Sequence, residues 1–318
     1  MKGRLAVAGS LCAMAALIWS SGEVAASCRY ALSLCCELII PSLFPFFIVS
    51  VLLNRLGLPR LLGRVTAPAS RLLFGVSGAG GTAFIMGLCG GYPLGAAYTA
   101  EMYESGCVGR EEAERLLGFC NNSGPAFIIG AIGVGVFHSS AAGIYLYVIH
   151  IAAAAVCGMV MRADLKNDTV PVPEAAGMKF SLALTGAIKQ AVVSILNVCG
   201  FVCCFTVLVG LLDADGFFSL LTGRFSELSG AELHWMRGLL TGFLELGSGV
   251  GEMRGLSLSP INLALAAFLV GWGGISVHFQ TMAQIADSGL EGSLHFPGRL
   301  ICGSTAAVLA YFCAGLLA

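Results

Sequence analysis

Long apolar runs separated by short polar joints dominate the chain. They cover residues 5–19, 32–53, 82–103, 116–137, 141–161, 187–212, 238–251, 261–285 and 300–317. Most approach the roughly 20 residues that a helix needs to cross the hydrocarbon of a bilayer, so the pattern predicts an all-α integral membrane protein. Two runs do not read as simple spans. Residues 82–103 are broken by Gly87, Gly90-Gly91 and Pro93, and residues 238–251 carry Glu245 followed by Gly247-Ser248-Gly249. Both are expected to be re-entrant hairpins, which enter and leave on one side with a tip of irregular backbone that protein or water must satisfy. The first run follows Lys2 and Arg4 and precedes Val24-Ala25-Ala26-Ser27, a layout that fits either a retained helix or a signal-like segment.

Composition narrows the function classes. Of 318 residues, 57% are hydrophobic and 11% charged, against roughly 25% charged in a soluble domain. A soluble globule is excluded, and any binding chemistry lies inside the bilayer or at its faces. The net charge of −1 offers no basic surface for nucleic acid. The 43 glycines are nearly twice the average share of roughly 7% and cluster in apolar runs, where they permit close helix contact or broken helices. Among the 13 cysteines the nearest groups, Cys35-Cys36 and Cys199 with Cys203-Cys204, lack paired CxxC spacing. They are expected to be small buried packing residues, not metal ligands. HExxH, GxSxG and a Walker lysine are absent, the four lysines Lys2, Lys166, Lys179 and Lys189 lying outside glycine-rich loops, so neither enzymatic activity nor a cofactor is expected.

Charge fixes the expected sidedness. With the N-terminus inside, Lys2, Arg4, Arg55, Arg60, Arg64, Arg71, Arg110, Arg115, Arg162, Lys166, Lys179, Lys189 and Arg299 fall on the inner side and Arg29, Arg224, Arg237 and Arg254 on the outer, 13 against 4. The positive-inside rule is obeyed when both hairpins are re-entrant, which gives about seven crossings plus two hairpins. The order of elements also repeats. A span (32–53), an amphipathic stretch (58–74), the Gly90 hairpin, a broken span (116–137) and a plain span (141–161) recur as 187–212, 217–235, the Glu245 hairpin, 261–285 and 300–317. This predicts an N-terminal segment 1–31, a first repeat 32–161, a cytoplasmic linker 162–183 and a second repeat 184–318 of opposite topology, an architecture found mainly in secondary transporters.

A substrate site in such a fold lies where hairpin tips and broken helices meet, because helix N-termini there offer unpaired N–H groups and partial positive charge. Four breaks supply the candidate binding residues: Gly90, Gly91, Tyr92 and Pro93; Asn121, Asn122, Ser123 and Gly124; Ser248 and Gly249; and Gly273, Gly274, Ser276 and His278. Asn121, Asn122 and Ser123 stand where a helix N-cap belongs, and Pro125 suits a first turn. Ionisable residues at membrane depth are expensive unless paired or functional. Glu245 reads as a ligand or coupling-ion residue, with a carboxylate bonded only to its own tip as the alternative. His278 reads as a gating or binding group or as a packed histidine, and Glu37 and His150 as structural or lumen-facing. No Arg or Lys is expected at the midplane.

Five motifs in order, SLFPFFIVSVLL (42–53), GLCGGYPLGA (87–96), FCNNSGPAFIIGAIG (119–133), GFLELGSG (242–249) and GGISVHFQ (273–280), resemble the sporulation integral membrane protein family of the YlbJ or SpoVV type. That family falls in the nucleoside-recognition Gate superfamily, and the likeness covers residues 30–318. One departure is the run after Glu245, Leu246-Gly247-Ser248-Gly249, where the family often has a Thr-Ser-Gly-like run. The resemblance implies a fold related to the concentrative nucleoside transporters. It also implies a role in endospore-forming Firmicutes, moving dipicolinic acid from the mother cell across the outer forespore membrane; the cell membrane is the other location. A dianion there would rely on helix N-termini, Asn121, Asn122, Ser123, Ser248 and a protonated His278, with Glu245 carrying H⁺ or Na⁺. The alternatives are a carrier of nucleosides or other small metabolites, and a non-transporting sporulation membrane factor. Expected partners are a small-molecule substrate, the lipid bilayer and, as an option, further copies of the chain.

Overall fold

The computed structural model describes residues 2–163, 179–229 and 233–317, and among them every regular element is helical. Helix α1 (Lys2–Trp19) bends by 93° into α2 (Ser21–Leu34), which continues through a π-helical turn (Cys35–Ile39) into α3 (Ile40–Arg55). This helical run continues through residue 31 and past Pro41 and Pro45, and it ends before Gly57, which has φ of +88°. Then come α4 (Leu58–Phe74), α5 (Gly78–Gly90), α6 (Leu94–Glu104), α7 (Arg110–Phe119), a second π-helical stretch (Ala126–Val134) and α8 (Ser140–Val160). The second half holds α9 (Phe180–Ala214), α10 (Phe217–Ser229), α11 (Leu233–Leu244), α12 (Leu246–Glu252), α13 (Pro260–Trp272), α14 (Gly274–Ile285) and α15 (His295–Phe312). Most of the linker expected over 162–183 lies outside the described residues, and its last positions already belong to α9.

The two interrupted runs each fold into a pair of packed helices, α5 with α6 and α11 with α12, and glycine is what lets their arms touch. A β-carbon on Gly249 of α12 would collide with the Gly242 α-carbon of α11, and one on Gly87 of α5 would lie 3.3 Å from the Gly95 α-carbon of α6 while striking the Cys120 carbonyl. The broken spans are equally plain. Residues 120–124 separate α7 from the π-helical stretch, and Gly273 and Gly274, with φ of +85° and +82°, interrupt α13 and α14. Among the described residues, three helical spans suffice by length and composition to cross a membrane, Ser140–Val160, Phe180–Ala214 and Pro260–Ile285, or up to five if each bent pair counts as one span. The remaining apolar segments are shorter or broken.

The two halves assemble alike. Helix α3 lies on the first π-bulged broken span and α9 on α14; α15 packs against α7 and α8 against α13; α8 and α15 meet each other. The Tyr145 hydroxyl fastens that last pair by donating to the Ala310 carbonyl at 2.7 Å.

Candidate functional site

The two hairpin tips, the first break and α14 line one partly open cavity. Its wall takes Tyr92 from the first tip, Ser123, Gly124 and Phe127 from the first break, Glu245, Leu246 and Gly247 from the second tip, and Val277 and Gln280 from α14. Ile39 and Leu43 on one side and Val198 and Val202 of α9 on the other complete it.

The first tip and first break are locked together. The backbone at Gly91, with φ of +80°, runs against Gly124, and Gly90 sits on Leu94 and Ser50. The Tyr92–Pro93 peptide is cis, and the Tyr92 hydroxyl donates to the Val270 carbonyl at 2.9 Å. Asn121 donates its amide to the Thr281 hydroxyl (2.7 Å) and accepts from the Ala96 N–H (3.3 Å). Asn122 turns back to the Phe119 carbonyl at 2.8 Å. These bonds overturn the capping role expected of Asn121, Asn122 and Ser123: the π-helical stretch starts without a side-chain cap, because both amides are drawn to partners outside it. His150 is wholly buried, and its Nε2 accepts the Ser123 N–H at 3.1 Å.

A residue that the hydropathy pattern put on the inner surface completes this centre. Arg299 is 0% exposed. Its Nη1 donates to the Asn121 carbonyl (2.6 Å), the Asn122 Oδ1 (3.1 Å) and the Tyr92 hydroxyl (3.4 Å), and its Nη2 donates to the Gly118 carbonyl (3.1 Å). The expectation of no cation among the breaks is therefore wrong. The apolar run begins at residue 300, but α15 begins at His295, so Arg299 lies in the second turn of that helix, on its buried face with His295 and Cys302. Ion pairs among the described residues join Arg110 to Glu291 and Arg237 to Asp213 and Glu252, and none includes Arg299. A desolvated charge costs several kcal/mol, and here only neutral oxygens offset it.

The second tip is built around Glu245, 2% exposed. Its carboxylate caps α12, accepting from the Gly247 N–H at 3.0 Å and the Ser248 N–H at 2.5 Å, while the residue also lines the cavity. The Ser248 hydroxyl pairs with Thr206 of α9 at 3.0 Å. Gly273 and Gly274 bring the second break against the other elements: β-carbons there would lie 3.3 Å from the Tyr92 ring and 3.0 Å from the Leu246 nitrogen.

The sporulation integral membrane protein YlbJ of Bacillus subtilis (strain 168) is 30% identical over 305 residues, covering 88% of this chain and 75% of the relative. The chain belongs to the YlbJ family. It is thus an integral membrane protein of a sporulation family, as its apolar helices agree. No protein-family model matches the chain, and no solved structure matches it.

In this member of the YlbJ family the remaining candidates are not among the residues that line the cavity. Ser276 is fully buried on α14. His278 sits in an aromatic cluster, with ring centroids 4.5 Å from Trp272, 4.8 Å from His295 and 5.2 Å from Phe296. Gly249 serves the contact between hairpin arms. Glu37 is exposed and accepts from the Ser33 hydroxyl at 2.9 Å. The cysteines are free thiols, and burial holds for only some of them: Cys35, Cys107, Cys120, Cys157 and Cys302 are buried, whereas Cys12, Cys36, Cys89 and Cys204 are exposed. The signal for Thr281, Gln280 and Thr206 was weak, since single hydroxyls and amides on apolar helices are common.

Proposed function

We propose that this YlbJ-family protein is a secondary transporter that moves a small anionic metabolite, dipicolinic acid foremost, from the mother cell across the outer forespore membrane by alternating access. The observation that carries the reading is the convergence of two hairpin tips and two broken spans on one cavity, the construction expected of inverted-repeat carriers. A non-transporting factor has no use for it. Arg299 supports an anionic solute, because an uncompensated cation behind Tyr92 and Asn122 raises the potential at the cavity, and in a low-dielectric interior that field is weakly screened.

Glu245 carries the coupling cation. Its carboxylate stands on the same wall and opposes an anion unless H⁺ or Na⁺ neutralises it. A neutral nucleoside is the second reading, favoured by the same carboxylate and by the amide of Gln280 on the wall. Uptake by the purified protein in liposomes, with dipicolinate and uridine in parallel under imposed H⁺ or Na⁺ gradients, tests both. Dipicolinate uptake that follows one gradient, and loses that dependence in Glu245→Gln, is the expected result; uptake of neither solute rejects the transporter.

A further inference from the structure

A second, smaller cavity is lined among others by Ser50 and Asn54 of α3, Leu94, Tyr98 and Glu101 of α6, and Gln190 of α9. It borders the same elements as the central cavity: α3, α9 and the first hairpin. The hairpin tip parts them, Tyr92 facing the centre and Leu94 the second cavity. On α3 one helix face serves both. Leu43 lines the first cavity and Val51 the second, roughly 12 Å apart along the axis at 1.5 Å per residue. Phe47, four residues from each along that helix, is 0% exposed. Helix α9 runs the opposite way, with Gln190 at the second cavity, Val198 and Val202 at the first, and buried Ile195 between.

The second cavity opens outward. Glu101 and Gln190 are exposed; Asn54 donates to Glu101 at 3.1 Å, and Arg55 donates to Gln190 at 3.2 Å. Its floor holds Tyr98, 5% exposed, whose hydroxyl has no hydrogen-bond partner. A buried hydroxyl without a partner is costly and calls for one.

We infer that this second cavity is the access site through which a solute reaches the centre from the face that carries Arg55, and that Phe47 is the plug between the two. The inference rests on the transporter reading. The solute it admits is small and offers an oxygen acceptor, a carboxylate or carbonyl, to the Tyr98 hydroxyl. Glu101 does not bar an anion, because it is tied to Asn54 at the rim where water screens it.

Labelling of the full chain in liposomes tests this without transport. Ala97→Cys, on the wall of the second cavity, and Leu43→Cys are exposed to a membrane-impermeant sulfonated maleimide supplied on the Arg55 face, and each site is read by peptide mass spectrometry. Ala97→Cys is expected to react readily and Leu43→Cys at least tenfold more slowly. Adding Phe47→Ala, or Phe47→Leu should the alanine variant not fold, is expected to raise the Leu43→Cys rate by tenfold or several-fold respectively while leaving Ala97→Cys unchanged. An unreactive Ala97→Cys, or a Leu43→Cys rate indifferent to Phe47, overturns the inference. Labelling as expected without uptake of dipicolinate or uridine rejects the transporter alone; uptake with unmoved labelling rejects the access site alone.

Discussion

Arg299 donates to the Asn121 carbonyl at 2.6 Å, and Asn121 passes the connection on, through its side-chain amide, to Thr281 at 2.7 Å. Helix α15, the first break and α14 are thereby joined through one asparagine, beside the cavity. Replacing Arg299 by methionine strands the Asn121 carbonyl and the Asn122 amide oxygen, each buried acceptor left unpaired costing about 1–3 kcal/mol, and leaves the Gly118 carbonyl only the Cys157 thiol at 3.8 Å. Arg299→Met is expected to melt well below the parent in detergent, and Arg299→Lys in between, since lysine keeps the charge and loses the planar fork. Equal melting temperatures for all three would contradict the bonding scheme.

Glu245 has two separable tasks. As a cap it holds two backbone N–H groups, and its removal in Glu245→Ala is expected to cost about 1 kcal/mol. Glu245→Gln keeps an acceptor oxygen and the fold but no longer binds or releases a proton. Its proteoliposome uptake, measured against external pH and Na⁺, is expected to be flat where the parent's is steep.

Hairpin contact predicts a sharp contrast between glycines. Gly249→Ala sets a methyl group against the Gly242 backbone, whereas Gly130 has open space around it. Overpacking of this kind costs about 1–3 kcal/mol, so Gly249→Ala is expected to reduce folded yield and melting temperature, with Gly130→Ala indistinguishable from the parent on size exclusion and melting.

The aromatic company of His278 predicts tolerance to another ring. His278→Phe keeps the contacts to Trp272, His295 and Phe296 and is expected to retain uptake within about twofold, while His278→Ala opens a hole whose cost is about that of other large-to-small core changes, roughly 2–5 kcal/mol. Loss of uptake in a well-folded His278→Phe would restore the histidine to the binding site.

Glycine and proline in apolar runs made the breaks legible in the sequence, because no uninterrupted helix tolerates Gly90-Gly91-Tyr92-Pro93 or Gly273-Gly274 at such density, and Glu245 stood out by its charge. Helix ends were less legible: α2 and α15 start in polar stretches that hydropathy assigns to loops. Arg299 was missed for that reason, since a cation at the edge of an apolar run looks the same whether it faces water or oxygens of another helix. The Asn121–Thr281 and Ser248–Thr206 pairs were invisible because their partners are neutral and distant in sequence.

Arg299 lies 177 to 207 positions after the groups that it binds. During synthesis the first half therefore enters the bilayer with the oxygens of Gly118, Asn121 and Asn122 still lacking their donor, and only the last long helix supplies it. The polar centre of the first half is therefore completed only by a residue made far later, which makes the pairing of these oxygens a late event of assembly.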